Sequence, residues 1–183
     1  MWHRAAMPYD PPPELASLSL AQIAEGVAAR RLPPISTWHP REIGESHMRI
    51  AADGSWWHEG SRIARPAMVR AFAGLIMREA DGTHWLVTPH QKLAIAVEDA
   101  AFVAVDCVSE GDALAFRLNT DDVVIAGPDH PLTVNGTAAY LAVRHGCLAR
   151  LDRSTWLQLA EIALAQGDGS FVTSGGVRFA LLP

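Results

Sequence analysis

Lysine is almost missing from this chain: Lys92 is the only one in 183 residues, and Lys plus Arg (15) fall short of Asp plus Glu (20), a net charge of −5. Nucleic acid and anionic membrane attract clustered Lys and Arg, so neither is an expected partner. Cysteine is as scarce. Cys107 and Cys147 belong to no CxxC or Cys/His spacing, which removes zinc ribbons and dithiol redox motifs and fits a reducing cytoplasm. Long apolar runs are absent as well. None reaches the roughly 20 residues of a bilayer span, and Met1–Pro13 holds no apolar signal core, so a soluble cytoplasmic protein is expected. Eight histidines form no HxH, HExxH or HxxxH pair, and no GxSxG or P-loop occurs. These gaps leave no metal, no cofactor and no local nucleophile motif.

What is present suffices for a packed core: 49% of the residues are hydrophobic and 19% charged. Met1–Pro13 is a polar, proline-rich lead-in. From Glu14 to Arg31, Leu15, Leu18, Ile23 and Val27 recur at near-helical spacing until Pro33-Pro34, which predicts a short amphipathic helix. Ile35–Gly44 reads as an extended connector. Asp53-Gly54 between Met48–Ile50 and Ser55–His58 predicts a β-hairpin. Pro66 then opens a helix whose buried face holds Met68, Val69, Phe72, Leu75 and Ile76, with Asp81-Gly82 as its exit into a strand at His84–Thr88.

Short β-rich runs follow at Leu93–Val97, Phe102–Val108, Ala113–Leu118, Val123–Ala126, Leu132–Val134, Tyr140–Arg144 and Cys147–Leu151, separated by turn residues. Asp152 caps a helix over Ser154–Gln166 with Trp156, Leu157, Ala160, Ala163 and Leu164 on its buried face, and Asp168-Gly169 leads to strands at Phe171–Thr173 and Val177–Leu182. An offset of 88 carries Arg65, Met68, Val69, Phe72, Leu75 and Ile76 onto Arg153, Trp156, Leu157, Ala160, Ala163 and Leu164. The expected fold is therefore α+β: two small related units, each an antiparallel sheet or meander packed on one amphipathic helix, preceded by an N-terminal helix. The expected boundaries are 1–37 for the arm and helix, 38–109 for the first unit and 110–183 for the second.

Several runs occur together in order: RIAADGSWWHEGSRIARPAMV, Thr88-Pro89 followed by Lys92, Val97–Ala100, Gly127–Leu132 and Ser174–Gly176. From Trp38 to the C-terminus the chain thereby resembles the bacterial domain-of-unknown-function 1285 family. The resemblance implies two small α+β domains built from repeated motifs, with ligand or partner binding in signal transduction. Where that family tends to carry a glutamate before its lysine, this chain has Gln91, and Ala101 stands where proline is favoured.

The candidate binding residues are Trp57, Arg65, Thr88, Lys92, Glu98 and Asp99. Lys92 beside the Thr88 hydroxyl offers a point charge and donors for an anionic headgroup, against the plainer reading of a solvated loop lysine. Seven carboxylates between Glu98 and Asp122 read as a solvated acidic edge or a docking surface for a basic partner. Trp56 and Trp57 are adjacent in a strand and point to opposite faces, so either one enters the core while the other is left outside or in an interface, or both faces are covered, by the N-terminal helix or the second unit. The leading expectation is a binding or regulatory module rather than an enzyme, taking a small anionic ligand or a protein partner at the junction of the two units. The alternative is a small hydrolase using His130 with Asp121 and Asp122. A third reading makes the N-terminal helix a homodimer contact.

Overall fold

The computed structural model describes residues 32–182. The helix expected over Glu14–Arg31 and its homodimer contact lie outside the described residues. Among those described are fourteen strands and two α-helices. The expected α+β class is thereby corrected: the fold is mostly β, with helices as accessories to two six-stranded sheets.

The first sheet is built from β1 (Glu42–Ile50), β2 (Trp56–His58), β3 (Ser61–Arg62), β4 (Ile76–Arg78), β5 (His84–Val87) and β6 (Gln91–Val97), in the order β3-β2-β1-β6-β5-β4. The second is built from β7 (Phe102–Glu110), β8 (Ala113–Leu118), β9 (Val123–Ile125), β10 (Leu132–Asn135), β11 (Ala138–Ala142) and β12 (Leu148–Leu151), in the order β10-β11-β12-β7-β8-β9. In each sheet two three-strand meanders are joined through a parallel central pair, β1 with β6 and β7 with β12. Neither sheet is purely antiparallel. Six added to each strand number of the first sheet generates the second, so two related units are present.

The repeat is nevertheless not the one that the helices suggested. Helix α1 (Pro66–Ala73) connects the third and fourth strands of its sheet, whereas helix α2 (Arg153–Gln166) follows the sixth strand of the other. They occupy different places in the two topologies. Helix α1 is also shorter than expected, because the chain leaves it at Gly74 and Ile76 begins β4; Asp81-Gly82 turns β4 into β5 instead of ending a helix. Leu75 and Ile76 continue the helical spacing in the sequence but serve loop and sheet.

In α2 the cap is as expected: Asp152 accepts the Thr155 N–H at 2.8 Å. Its buried face is rotated, however, to Thr155, Leu159 and Ala163, and leaves Leu157 (54%) and Leu164 (63%) exposed. The helix packs on β7 through that i, i+4, i+8 row. A terminal hairpin, β13 (Phe171–Ser174) with β14 (Val177–Ala180), then closes on β8. The buried Ser174 hydroxyl accepts the Leu114 N–H at 2.8 Å and donates to the Ala126 carbonyl at 2.7 Å.

Residues 102–109, placed in the first unit by the sequence, belong to β7 and hence to the second sheet. One hydrophobic core runs through both sheets, from Ile50, Trp56, Ile76 and Leu86 to Phe102, Leu114, Leu141 and Leu159. Polar pins reinforce it. Arg144 donates to the Ala73 carbonyl at the end of α1 (3.0 Å), pairs with buried Asp122 (3.4 Å) and lies 4.8 Å from the Phe102 ring. Beside it the Arg78 N–H reaches the His145 carbonyl at 2.8 Å, where a Cβ on Gly146 would stand 2.3 Å from the Arg78 oxygen.

Candidate functional site

The hairpin turn between β1 and β2 decides where the units meet. Ser55 donates its N–H (2.9 Å) and hydroxyl (2.5 Å) to Asp53 Oδ1, an Asx turn that leaves Gly54 at φ +87°. A Cβ on Gly54 would lie 2.8 Å from both Asn119 Nδ2 and Val103 Cγ2. The turn therefore needs glycine to press against the second unit. Asn119 receives it: its side chain accepts the Val103 N–H at 3.0 Å and donates to the Gly54 carbonyl at 3.3 Å.

A cleft of about 380 Å³ opens beside this turn, and most of its lining comes from residues 53–70. The register explains its floor. Ile50 pairs with Trp56 and Arg49 with Trp57, so Trp56 turns inward with Ile50 and is 1% exposed, while Trp57 turns outward with Arg49. Trp56 stacks on Phe72 of α1 (centroids 6.4 Å apart, planes at 18°) and its carbonyl accepts the Ile63 N–H at 2.8 Å. Ile63, Pro66 and Val69 complete an apolar floor. Arg62 from β3 and Arg70 from α1 bring two guanidiniums, and Asp53 and Asp121 bring two carboxylates.

Two donors in this wall are buried and have no hydrogen-bond partner among the described residues: Trp56 Nε1 and Arg70 Nε. An unmet buried donor costs about 1–3 kcal/mol, and both atoms lie sealed from solvent beneath the cleft surface. The carboxylates differ in character. Hydrogen bonds from Ser55, helped by the Arg62 charge, hold Asp53 below the usual carboxylate range. Burial, with the neighbouring Asp122 charge, raises Asp121, which sits in the left-handed region at φ +68°.

The residues singled out from the sequence are dispersed around this cleft. Trp57 donates Nε1–H to Ser55 Oγ (2.9 Å) beneath the Arg49 guanidinium, 5.4 Å from its ring centroid. Arg65 is exposed and serves α1 with its backbone, its carbonyl accepting the Met68 and Val69 N–H groups. The Thr88 hydroxyl closes the β5–β6 turn by accepting the Gln91 N–H at 3.0 Å. Lys92 pairs with Glu79 and stands 4.4 Å over the Trp85 ring, so a protein carboxylate already meets its charge. Lys92 lines a different cleft, of about 500 Å³, with Trp38, Arg78 and His145.

Glu98 holds Arg49 (2.5 Å) and the Ala52 N–H (2.8 Å). Asp99 accepts from Tyr140 Oη (2.8 Å) and Arg150 (2.6 Å), and Arg150 lines a cleft on the other flank of the Asp53 turn.

Of His130, Asp121 and Asp122, only Asp121 lines the 380 Å³ cleft. Asp122 accepts from Thr120 Oγ1 at 2.7 Å and from Arg144, while His130 Nδ1 lies 3.0 Å from the Ala142 carbonyl. No group of three or more His, Cys, Asp or Glu with metal-site geometry occurs among the described residues. Cys107 and Cys147 are buried, which pushes both thiols up to about 12 and keeps them from acting as nucleophiles.

Trp56, Arg62, Arg70 and Asn119 are the site residues that sequence reasoning missed. The hairpin register could have found the first: a turn over 51–55 pairs Ile50 with Trp56 and sends that indole to the core.

Comparison with known proteins agrees with the two-sheet division. The model of the DUF1285 N-terminal domain matches residues 33–100, and that of the DUF1285 C-terminal domain matches residues 101–181. A crystal structure of a DUF1285 family protein from Silicibacter pomeroyi DSS-3 superposes with a TM-score of 0.72 at 32% identity, covering 90% of this chain and 94% of that one. A DUF1285 family protein from Shewanella baltica OS155 shares the fold at a TM-score of 0.55 and 20% identity, over 62% of this chain and 90% of that one. No curated protein matches.

Proposed function

The chain belongs to the DUF1285 family, and we propose that it is a binding module that takes a small carboxylate-bearing ligand into the cleft between Asp53, Arg62 and Arg70, at the junction of its two units. The observation that carries this reading is the pair of arginines, Arg62 and Arg70, lining one cleft beside an apolar floor. A carboxylate accepts charge-assisted hydrogen bonds from guanidiniums. The cleft volume of about 380 Å³ suits a small organic molecule, and Trp56, Ile63, Pro66 and Val69 suit an apolar body behind the acid group.

A regulatory role follows from location. Asn119 and Asp121 of the second unit line the cleft with the first unit's residues, so a ligand there stabilises the two units together. Lys92, occupied by Glu79, is outside this role.

The test is a thermal-shift and calorimetric titration with 4-methylvalerate, a branched carboxylate of suitable size. Saturable stabilisation is expected, rising with the logarithm of concentration. Arg70→Met keeps the aliphatic stem and should abolish binding, whereas Lys92→Met should bind as the parent does. Undiminished binding by Arg70→Met, or no stabilisation of the parent, would sink the reading.

A further inference from the structure

Helix α2 buries the row Thr155, Leu159 and Ala163 and turns a second row outward: Arg153, Leu157, Ala160 and Leu164, at helical spacing on one face. Leu157 and Leu164 are both more than half exposed. Each has a charge at its outer side. Arg153 stands one turn before Leu157, exposed and in no ion pair among the described residues. At the other end Leu164 lies against the turn that follows the helix, where a Cβ on Gly169 would stand 3.0 Å from Leu164 Cδ2. Asp168 of that turn is exposed, and its Oδ1 accepts the Ser170 N–H at 2.9 Å, which holds its carboxyl below the usual range. The stripe therefore runs from a cation, through two leucines set about a small residue, to an anion.

The surface that fits such a stripe is the same stripe reversed. Two copies of α2 laid antiparallel about a twofold axis beside Ala160 and Glu161 set Leu157 of each against Leu164 of the other. Positions 153 and 168 share the midpoint of 157 and 164, so the same axis sets Arg153 of each against Asp168 of the other. Ala160 at the axis lets the helices approach to the roughly 8–10 Å of ordinary helix packing. We infer that the outward face of α2 is an interface between two copies of this chain, an isologous contact made by Leu157 with Leu164 and by Arg153 with Asp168. None of these residues lines the cleft of Arg62 and Arg70, so the contact is independent of the carboxylate reading. One pair of helices about 21 Å long buries little surface, and the dimer exchanges with monomer. Glu161 meets its own copy at the rim of the contact, a like-charge pair that weakens it.

Sedimentation equilibrium of the full chain over a concentration series tests this contact, and association is expected to stop at the dimer. Leu157→Lys and Leu164→Glu each set a charge against leucine and should weaken the dimer about tenfold. The double variant sets Lys against Glu across the axis, twice, and should associate about tenfold more tightly than either single variant. At low ionic strength Glu161→Gln should tighten the dimer and Arg153→Gln should loosen it. All four positions are exposed, so these variants should melt with the parent, which separates lost association from lost folding. A parent that stays monomeric leaves the stripe to a different partner and overturns the self-contact. Association that continues beyond two copies, or that survives Leu157→Lys undiminished, overturns it as well. A double variant no tighter than the singles overturns the antiparallel register on which the inference stands.

Discussion

At the scale of single residues, His145 links an unfavourable backbone conformation to a burial cost. It lies at φ +49°, a region that non-glycine residues visit rarely. Burial pushes its imidazole below the usual range near 6.5, and the adjacent Arg144 charge adds to this. His84 behaves alike, through burial and then the Arg78 charge. With a folded pKa below the unfolded one, protons bind the unfolded chain first as pH falls. Stability is therefore full above about pH 6.5 and lost as pH drops from there toward the folded values. His145→Asn retains a side chain tolerant of left-handed backbone and removes one titrating group. Urea melts between pH 7.5 and 5 should show a shallower loss for this variant than for the parent; parallel curves would remove His145 from the account.

At the scale of elements, the Asp53–Ser55 turn ties fold to site. Gly54→Ala imposes about 1–2 kcal/mol for left-handed backbone alone, and its Cβ also overlaps Asn119 and Val103 at 2.8 Å. Denaturant melts should show at least that loss, and carboxylate affinity should fall with it because the turn is one wall of the cleft. An Ala variant of parental stability would contradict the close packing.

The same turn shows what local sequence can reveal. Asp-Gly between alternating runs specifies the hairpin, and the Asp152 cap specifies the start of α2, because both signals are contained within a few residues. The sequence extends helix α1 too far because Leu75 and Ile76 continue its periodicity past Gly74, and sheet pairing of Ile76 with Leu86 overrides that phase. The face of α2 was misplaced for a related reason: the apolar Leu157 and Leu164 outrank Thr155 by hydropathy, yet Thr155 is the one packed at 0% exposure. The cleft was hidden because Asn119 and Asp121 reach Arg62 and Arg70 only after two sheets dock, a contact with no local pattern. Trp57, Lys92 and Glu98 carry chemistry that neighbours such as Ser55, Glu79 and Arg49 already satisfy.

At the scale of the whole molecule, two sheets of one topology share a single core and a buried ion pair. Arg144 joins the two. Its guanidinium meets the last carbonyl of α1 in the first unit and Asp122 in the second, with only 13% and 4% of the two charged side chains exposed. Arg144→Met takes the guanidinium away from a buried carboxylate, and breaking a pair of this kind costs about 3–5 kcal/mol. A continuous core also makes the two units unfold together. Trp38, Trp56, Trp57 and Trp85 weight the fluorescence toward the first unit, with Trp156 of α2 adding a signal from the second, whereas far-ultraviolet circular dichroism reports on both sheets. In urea the two signals should trace one transition in the parent, and in Arg144→Met both midpoints should fall by the same amount. A fluorescence transition that separates from the dichroism in the parent would show two independently stable domains, and the junction cleft would then lack the rigid walls that the ligand reading requires.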